Sequence, residues 1–249
     1  MIALLLALIG LPAGLALDRI VVQLAVPLDG DEEDPAPRTA KPPKAKPPKA
    51  KRRRPASAET GSLVLDLDLP PRAWARRLLI VGITVGLFAL AGARYDEPVH
   101  LAIVAAYICA LIICAATDLL VYRVPNVITY PAIAGALTVA ALMPDATVPS
   151  ALGGAALAGG ALFLPALFTG GLGMGMGDVK LATFVGLALG FSFAAPALIV
   201  TALTGGAVAV LLMITGVRKR GEPIAYAPFI ALGAVTALLV WGTAFTTLG

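Results

Sequence analysis

The chain has 249 residues, of which 59% are hydrophobic and only 14% charged, and its mean hydropathy is +0.89. Soluble domains run nearer half apolar and a quarter charged, so a water-soluble globule is excluded, and apolar stretches recurring from end to end predict an all-α, polytopic transmembrane bundle. The formal net charge of +4 could suit nucleic acid, but the basic residues sit in the connections between apolar stretches, as in a membrane protein.

In chain order the expected spans are about 2–17 (continuing towards 27), 78–93, 99–117, 127–143, 151–169, 179–192, 194–215 and 226–246. The stretch from Val179 to Thr215 is too long for one crossing at about 1.5 Å per residue. Phe191-Ser192 through Pro196 offers a turn there, which makes about eight helices. Residues 1–28 are read as a retained first helix. They lack a positive n-region, and cleavage would require export of the basic segment that follows. Residues 29–77 are read as a cytoplasmic linker and 78–249 as the membrane domain. From 29 to 61 the linker holds an imperfect KPPKA repeat and almost no large apolar residue, so it is expected to be disordered. Its Lys51–Arg54 block could bind anionic lipid headgroups, although a solvated topology signal is the favoured reading. Leu63 to Leu69 alternates Leu and Asp and is assigned no role.

The basic residues orient the chain. With the segment after the first span in the cytoplasm and strict alternation thereafter, eighteen of the nineteen Lys and Arg residues fall inside. They comprise Arg19, the twelve between Arg38 and Arg77, Arg123, Lys180 and Arg218-Lys219-Arg220. Only Arg94 falls outside, among Asp96, Glu97 and Asp145. The cysteines, Cys109 and Cys114, share one apolar run and are read as packing residues. Two ligands cannot close a structural zinc site, so no metal or other cofactor is expected. His100, the only histidine, falls on the outer side and is given no catalytic role.

Two acidic residues stand apart. Asp118 closes the third span in CAATDLLVYRVPN, and Asp178 opens the sixth in GLGMGMGDVKLATF. The alternation puts both at the cytoplasmic edge. An ionisable group bordering a span is costly and is a functional candidate by default. Two carboxylates held close cannot both ionise easily, so one keeps its proton. The ionised one can then take a proton from an attacking water while the other donates to a peptide carbonyl. Titration would belong to the pair, so neither has a fixed role. By themselves two aspartates fit proton or cation binding in a transporter or channel equally well. The glycines before Asp178 favour the peptidase chemistry, because a bare backbone can accept an extended peptide by strand-like pairing.

Gly175-Met176-Gly177-Asp178, continued by Val179-Lys180-Leu181, is similar to the GxGD signature of type IV prepilin peptidases. Asp118 followed by Arg123-Val124-Pro125-Asn126 resembles that family's other motif, an Asp followed by a basic residue and Ile-Pro-Asn. Pro223 to Gly233, PIAYAPFIALG, resembles the run beginning the family's last helix. The resemblance covers nearly all of residues 98–246. It implies a membrane aspartic endopeptidase with Asp118 and Asp178 catalytic, acting on prepilin or pseudopilin leader peptides from a prokaryotic inner or plasma membrane with its site facing the cytoplasm. Gly175, Gly177, Lys180, Arg123, Pro125 and Asn126 are candidates for substrate binding or support of the site. Pro125 should set the start of the fourth helix, and Asn126 either bonds near the site or caps that helix. Bifunctional members carry two CxxC pairs after the first helix, linked to N-methylation. The corresponding segment here has no cysteine, which implies a peptidase without that zinc-containing domain and without methyltransferase activity. Residues 10–27 resemble the family's first segment loosely. Asp18, at the place of an Asn there, is read as a helix-end residue paired with Arg19. The presenilin-like peptidases also use GxGD, but their first Asp follows Tyr, whereas Thr117 precedes Asp118. A transporter or channel using the same aspartates is the alternative from another class. It would favour acidic residues at mid-membrane and inverted repeats.

Overall fold

The computed structural model describes residues 2–25, 71–143, 146–168, 174–216 and 224–247. The expected linker up to residue 70, with Lys51–Arg54, most of the glycine run before Asp178 and the Arg218-Lys219-Arg220 cluster lie outside the described residues. Seven helices are described: α1 (Ile2–Ala25), α2 (Pro71–Arg94), α3 (Pro98–Val121), α4 (Asn126–Leu142), α5 (Val148–Phe168), α6 (Met176–Ile214) and α7 (Ala227–Val240). A two-residue hairpin follows, β1 (Gly242–Thr243) paired antiparallel with β2 (Thr246–Thr247). This is the all-α polytopic bundle that the hydropathy predicts, and the chain is a multi-pass membrane protein. Five helices are long and apolar enough to cross a bilayer, while α4 and α7 are shorter.

The helices are apolar on every side, as suits elements packed on one face and wetted by lipid on the other. Leu8, Leu79, Phe168, Leu203 and Ile214 point outward. Ile108, Leu111, Leu181, Phe184 and Leu238 fill the interior. Tyr107 of α3 meets Phe184 of α6 edge to ring face, with centroids 5.4 Å apart. Between α1 and α2, Gly10 and Gly14 lie against Val85 and Val81. Between α5 and α6, Gly154 lies directly against the backbone of Gly186 and Gly190. No side chain fits at such crossings, where van der Waals contact between backbones takes the place of a water-driven core.

Helix α6 has 39 residues, roughly 58 Å at 1.5 Å per residue and nearly twice the hydrocarbon thickness. It is one element only by continuity, because Gly190 interrupts it at φ 71°, ψ 177°. Glycine reaches that region without the penalty a Cβ would carry. The expected turn between Phe191 and Pro196 therefore falls one residue earlier, and Pro196 lies inside the second helical piece. With that break the helical segments number eight among the described residues. Phe191 N–H donates to Ser150 Oγ at 3.2 Å, and Ala244 N–H of the hairpin donates to the Ala188 carbonyl at 3.0 Å. Helix α2 begins at Pro71, ahead of the span expected from 78.

The contacts sort the helix ends. Asp18 meets Arg76, Asp118 meets Ala227, Gly177 meets Val124, and Lys180 meets Asn126, all at one end of the bundle. At the other end Arg94 donates to the carbonyls of Leu239 (2.8 Å) and Val240 (3.2 Å). A cation there answers the unpaired carbonyls closing α7. Burial pushes the neighbouring Tyr95 phenol up, so it stays a donor, and it bonds the Leu238 carbonyl at 2.5 Å. His100 also lies at this far end, 3.2 Å from Glu97 Oε2 and packed at a tilt against Phe245.

Candidate active site

Asp118 occupies the last turn of α3 and is 5% exposed. The chain leaves the helix immediately afterwards. Tyr122 takes a left-handed conformation (φ 53°, ψ 38°), and its N–H closes on the Asp118 carbonyl at 2.9 Å. A carboxylate at a helix C-terminus opposes the helix dipole, so it needs a donor from elsewhere. The start of α7 supplies it. Ala227 N–H donates to Asp118 Oδ2 at 3.0 Å, with the Tyr226 backbone beside this carboxyl. The Ala227 N–H is one of the unpaired donors of a helix N-terminus, which suit an anion.

Asp178 sits in the first turn of α6 and is 8% exposed. Gly175 is the N-cap, and its carbonyl accepts the Asp178 N–H at 3.1 Å. The side chain folds back over the cap, so that a Cβ on Gly175 would lie 3.6 Å from Asp178 Oδ2. Asp178 Oδ1 is buried and has no hydrogen-bond partner among the described residues. Asp118 is close enough for its charge to bear on Asp178 directly. The half-buried Tyr226 joins the pair. Burial, with the Asp178 charge nearby, pushes its phenol above the usual value, so the ring stays neutral at physiological pH.

The supporting candidates separate into two groups. Gly177 touches the connection after Asp118, where a Cβ would stand 2.9 Å from Val124 Cβ. This approach seats the start of α6 on the loop after α3. Lys180 donates from Nζ to Asn126 Oδ1 at 3.0 Å and lies 4.9 Å from the Tyr130 ring centroid. Asn126 thus bonds across to α6 and does not cap its own helix. The N-cap is Pro125, one position before the first turn, and its carbonyl accepts from Ile128, Thr129 N–H and Thr129 Oγ1. Arg123 is exposed at the same end. Asp18 is not paired with Arg19 as the sequence suggests. Its oxygens face α2, with Arg76 Nε at 3.0 Å and Arg77 Nε at 3.4 Å. On α1 neighbouring residues point about 100° apart, so Arg19 faces away while Asp18 faces α2.

Nothing in the sequence marks the backbone of Ala227 as the partner of Asp118. The run containing it attracted notice only by resemblance. No group of three or more His, Cys, Asp or Glu side chains that could hold a metal ion occurs among the described residues. The arrangement is two buried carboxyls on different helices. One is fixed by a backbone donor, and among the described residues the other has an oxygen without a partner.

The type IV leader peptidase family matches residues 105–210, a window that includes both aspartates. The chain is also similar to a prepilin leader peptidase/N-methyltransferase of Bacillus subtilis, with 35% identity over 160 residues. That match covers 63% of each protein, so the chain spans somewhat under two thirds of the relative's length. Among solved structures there is no match. Residues 105–210, with Asp118 and Asp178 at the ends of their two helices, form a type IV leader peptidase family domain.

Proposed function

We propose that this protein is a membrane aspartic endopeptidase that removes the leader peptides of type IV prepilin-like proteins. The supporting observation is the pairing of Asp118 and Asp178 at one end of the bundle, with Asp178 Oδ1 buried and without a partner among the described residues. An oxygen without a partner in a nearly enclosed site is costly, and an attacking water or a substrate carbonyl would satisfy it. In the mechanism the two carboxyls share one proton. The ionised carboxylate takes a proton from water, whose oxygen bonds to the scissile carbonyl carbon. The protonated carboxyl donates to the carbonyl oxygen. Collapse of the tetrahedral intermediate then expels the amine, which leaves with a proton from the pair. Ala227 holds Asp118 through its backbone N–H, and Gly177 sets the spacing of the two helix ends.

The site faces the cytoplasm in this reading. Arg19, Arg76, Arg77, Arg123 and Lys180 all lie at its end of the bundle and Arg94 at the other, the asymmetry expected of the cytoplasmic side. A leader cut where it meets the membrane suits a site at helix ends, where water and an extended peptide can both reach the carboxyls. The segment between α1 and α2 carries no cysteine, so the new N-terminus would stay unmethylated.

The test is co-expression with a prepilin, following its size by gel and its new terminus by mass spectrometry. Wild type should shorten the prepilin without adding a methyl group. Asp118→Asn and Asp178→Asn should each abolish shortening while still inserting in the membrane. Processing retained by either variant would refute the two-carboxylate mechanism.

A further inference from the structure

A second charged cluster lies apart from the aspartate pair, where α1 passes α2. Asp18 is 3% exposed and Arg77 7% exposed. Asp18 is shared between two guanidinium groups, with Oδ1 on Arg76 and Oδ2 near Arg77. Arg77 Nε lies within ion-pair distance of Asp18 but lacks hydrogen-bond geometry, and Arg77 Nη1 has no hydrogen-bond partner among the described residues. Among the described residues, one carboxylate faces two guanidinium groups, which leaves an excess positive charge. A buried guanidinium with open donors is costly unless an anion answers it. Water could accept a hydrogen bond from Nη1, but it would not neutralise the charge.

The surroundings indicate which anion. Asp18 is seven residues from the end of α1 and Arg76 five from the start of α2, about 8–10 Å along each axis at 1.5 Å per residue. Both residues thus lie within about two helical turns of the ends of their candidate spans, Leu6–Ala25 and Ala73–Arg94, towards the boundary between hydrocarbon and headgroups. Trp74, whose ring centroid lies 5.7 Å from Arg77 Cζ, is of the type enriched at that boundary. Arg76 remains 30% exposed on its side chain, so the open approach to the cluster is past Arg76. Paired guanidinium forks match phosphate oxygens in geometry and charge.

We propose that Arg76 and Arg77, held by Asp18, form a binding site for a single phosphate group, supplied in the membrane by an anionic phospholipid headgroup. The site is separate from the Lys51–Arg54 block and independent of the peptidase reading. It makes the α1–α2 pair sensitive to lipid composition.

The test uses full-length protein in phosphatidylcholine nanodiscs titrated with phosphatidylglycerol. Lipid retained after a high-salt wash is read by native mass spectrometry. Wild type should keep a single phosphatidylglycerol, because an enclosed charge is screened less than an exposed one. A chain with Lys51–Arg54 changed to glutamine should keep it too. Arg77→Met and Arg76→Gln should each lower retention about tenfold or more, the loss of a charge-assisted hydrogen bond. If Arg77→Met does not fold, the partly exposed Arg76→Gln carries the test. Equal retention of both lipids, unchanged retention in the arginine variants, or loss on neutralising Lys51–Arg54 alone would overturn the proposal. Displacement of the lipid by inorganic phosphate would overturn the lipid as its source.

Discussion

Gly177→Ala tests how the two helix ends are set. The new methyl carbon would stand 2.9 Å from Val124 Cβ and 3.3 Å from Val124 Cγ2. Carbon atoms prefer about 3.5–4.0 Å, so α6 and the loop after Asp118 must separate by roughly 0.6–1 Å. Val124 Cβ is fixed to the backbone, so rotating the side chain does not relieve the contact. A misplacement of about 1 Å can cost on the order of a hundredfold in rate, and partial relaxation would leave a loss between about tenfold and a hundredfold. Gly175→Ala is the matched control. Its methyl would meet Asp178 Oδ2 at 3.6 Å and Gly177 N at 3.9 Å, ordinary contacts. The assay is single-turnover cleavage of a purified prepilin by reconstituted enzyme, with insertion and thermal unfolding checked in parallel. Gly177→Ala should be slow and Gly175→Ala close to wild type. Val124→Gly in the Gly177→Ala background should recover part of the rate. Equal rates for the two alanine variants, with both folded, would refute the spacing argument.

Other variants probe the frame around the site. Asp18→Asn strands the Arg76 and Arg77 charges and should lower stability by about 3 kcal/mol, the low end for breaking a buried pair because Arg76 is partly exposed; unfolding in mixed micelles would measure it. Gly154→Ala drives a methyl into the Gly186 carbonyl, and overpacking of this kind costs about 1–3 kcal/mol, so thermal unfolding should come earlier than in wild type. Tyr95→Phe removes the bond to the Leu238 carbonyl and should cost about 1 kcal/mol, with cleavage by the distant aspartate site unchanged.

Hydropathy and charge by themselves were enough for the helical membrane class, the approximate helix count and the separation of Arg94 from the other described basic residues. These properties follow from local composition, because a bilayer selects helices by length and sorts loops by charge wherever the partners lie. Asp118 and Asp178 were legible for the same reason, since a carboxyl bordering a span stands out without knowledge of the fold. The contacts of those residues were not. The donor to Asp118 comes from a residue 109 positions away, and an alanine N–H has no signature of its own in a sequence. Asp18 had a basic neighbour in Arg19, yet helical geometry turned it to Arg76, 58 positions on. The interruption of α6 fell at Gly190, not at the nearby proline, because its positive φ suits a residue without a Cβ and Pro196 remains within a helix. Pairings across helices depend on how faces pack, and that is a property of the assembled bundle.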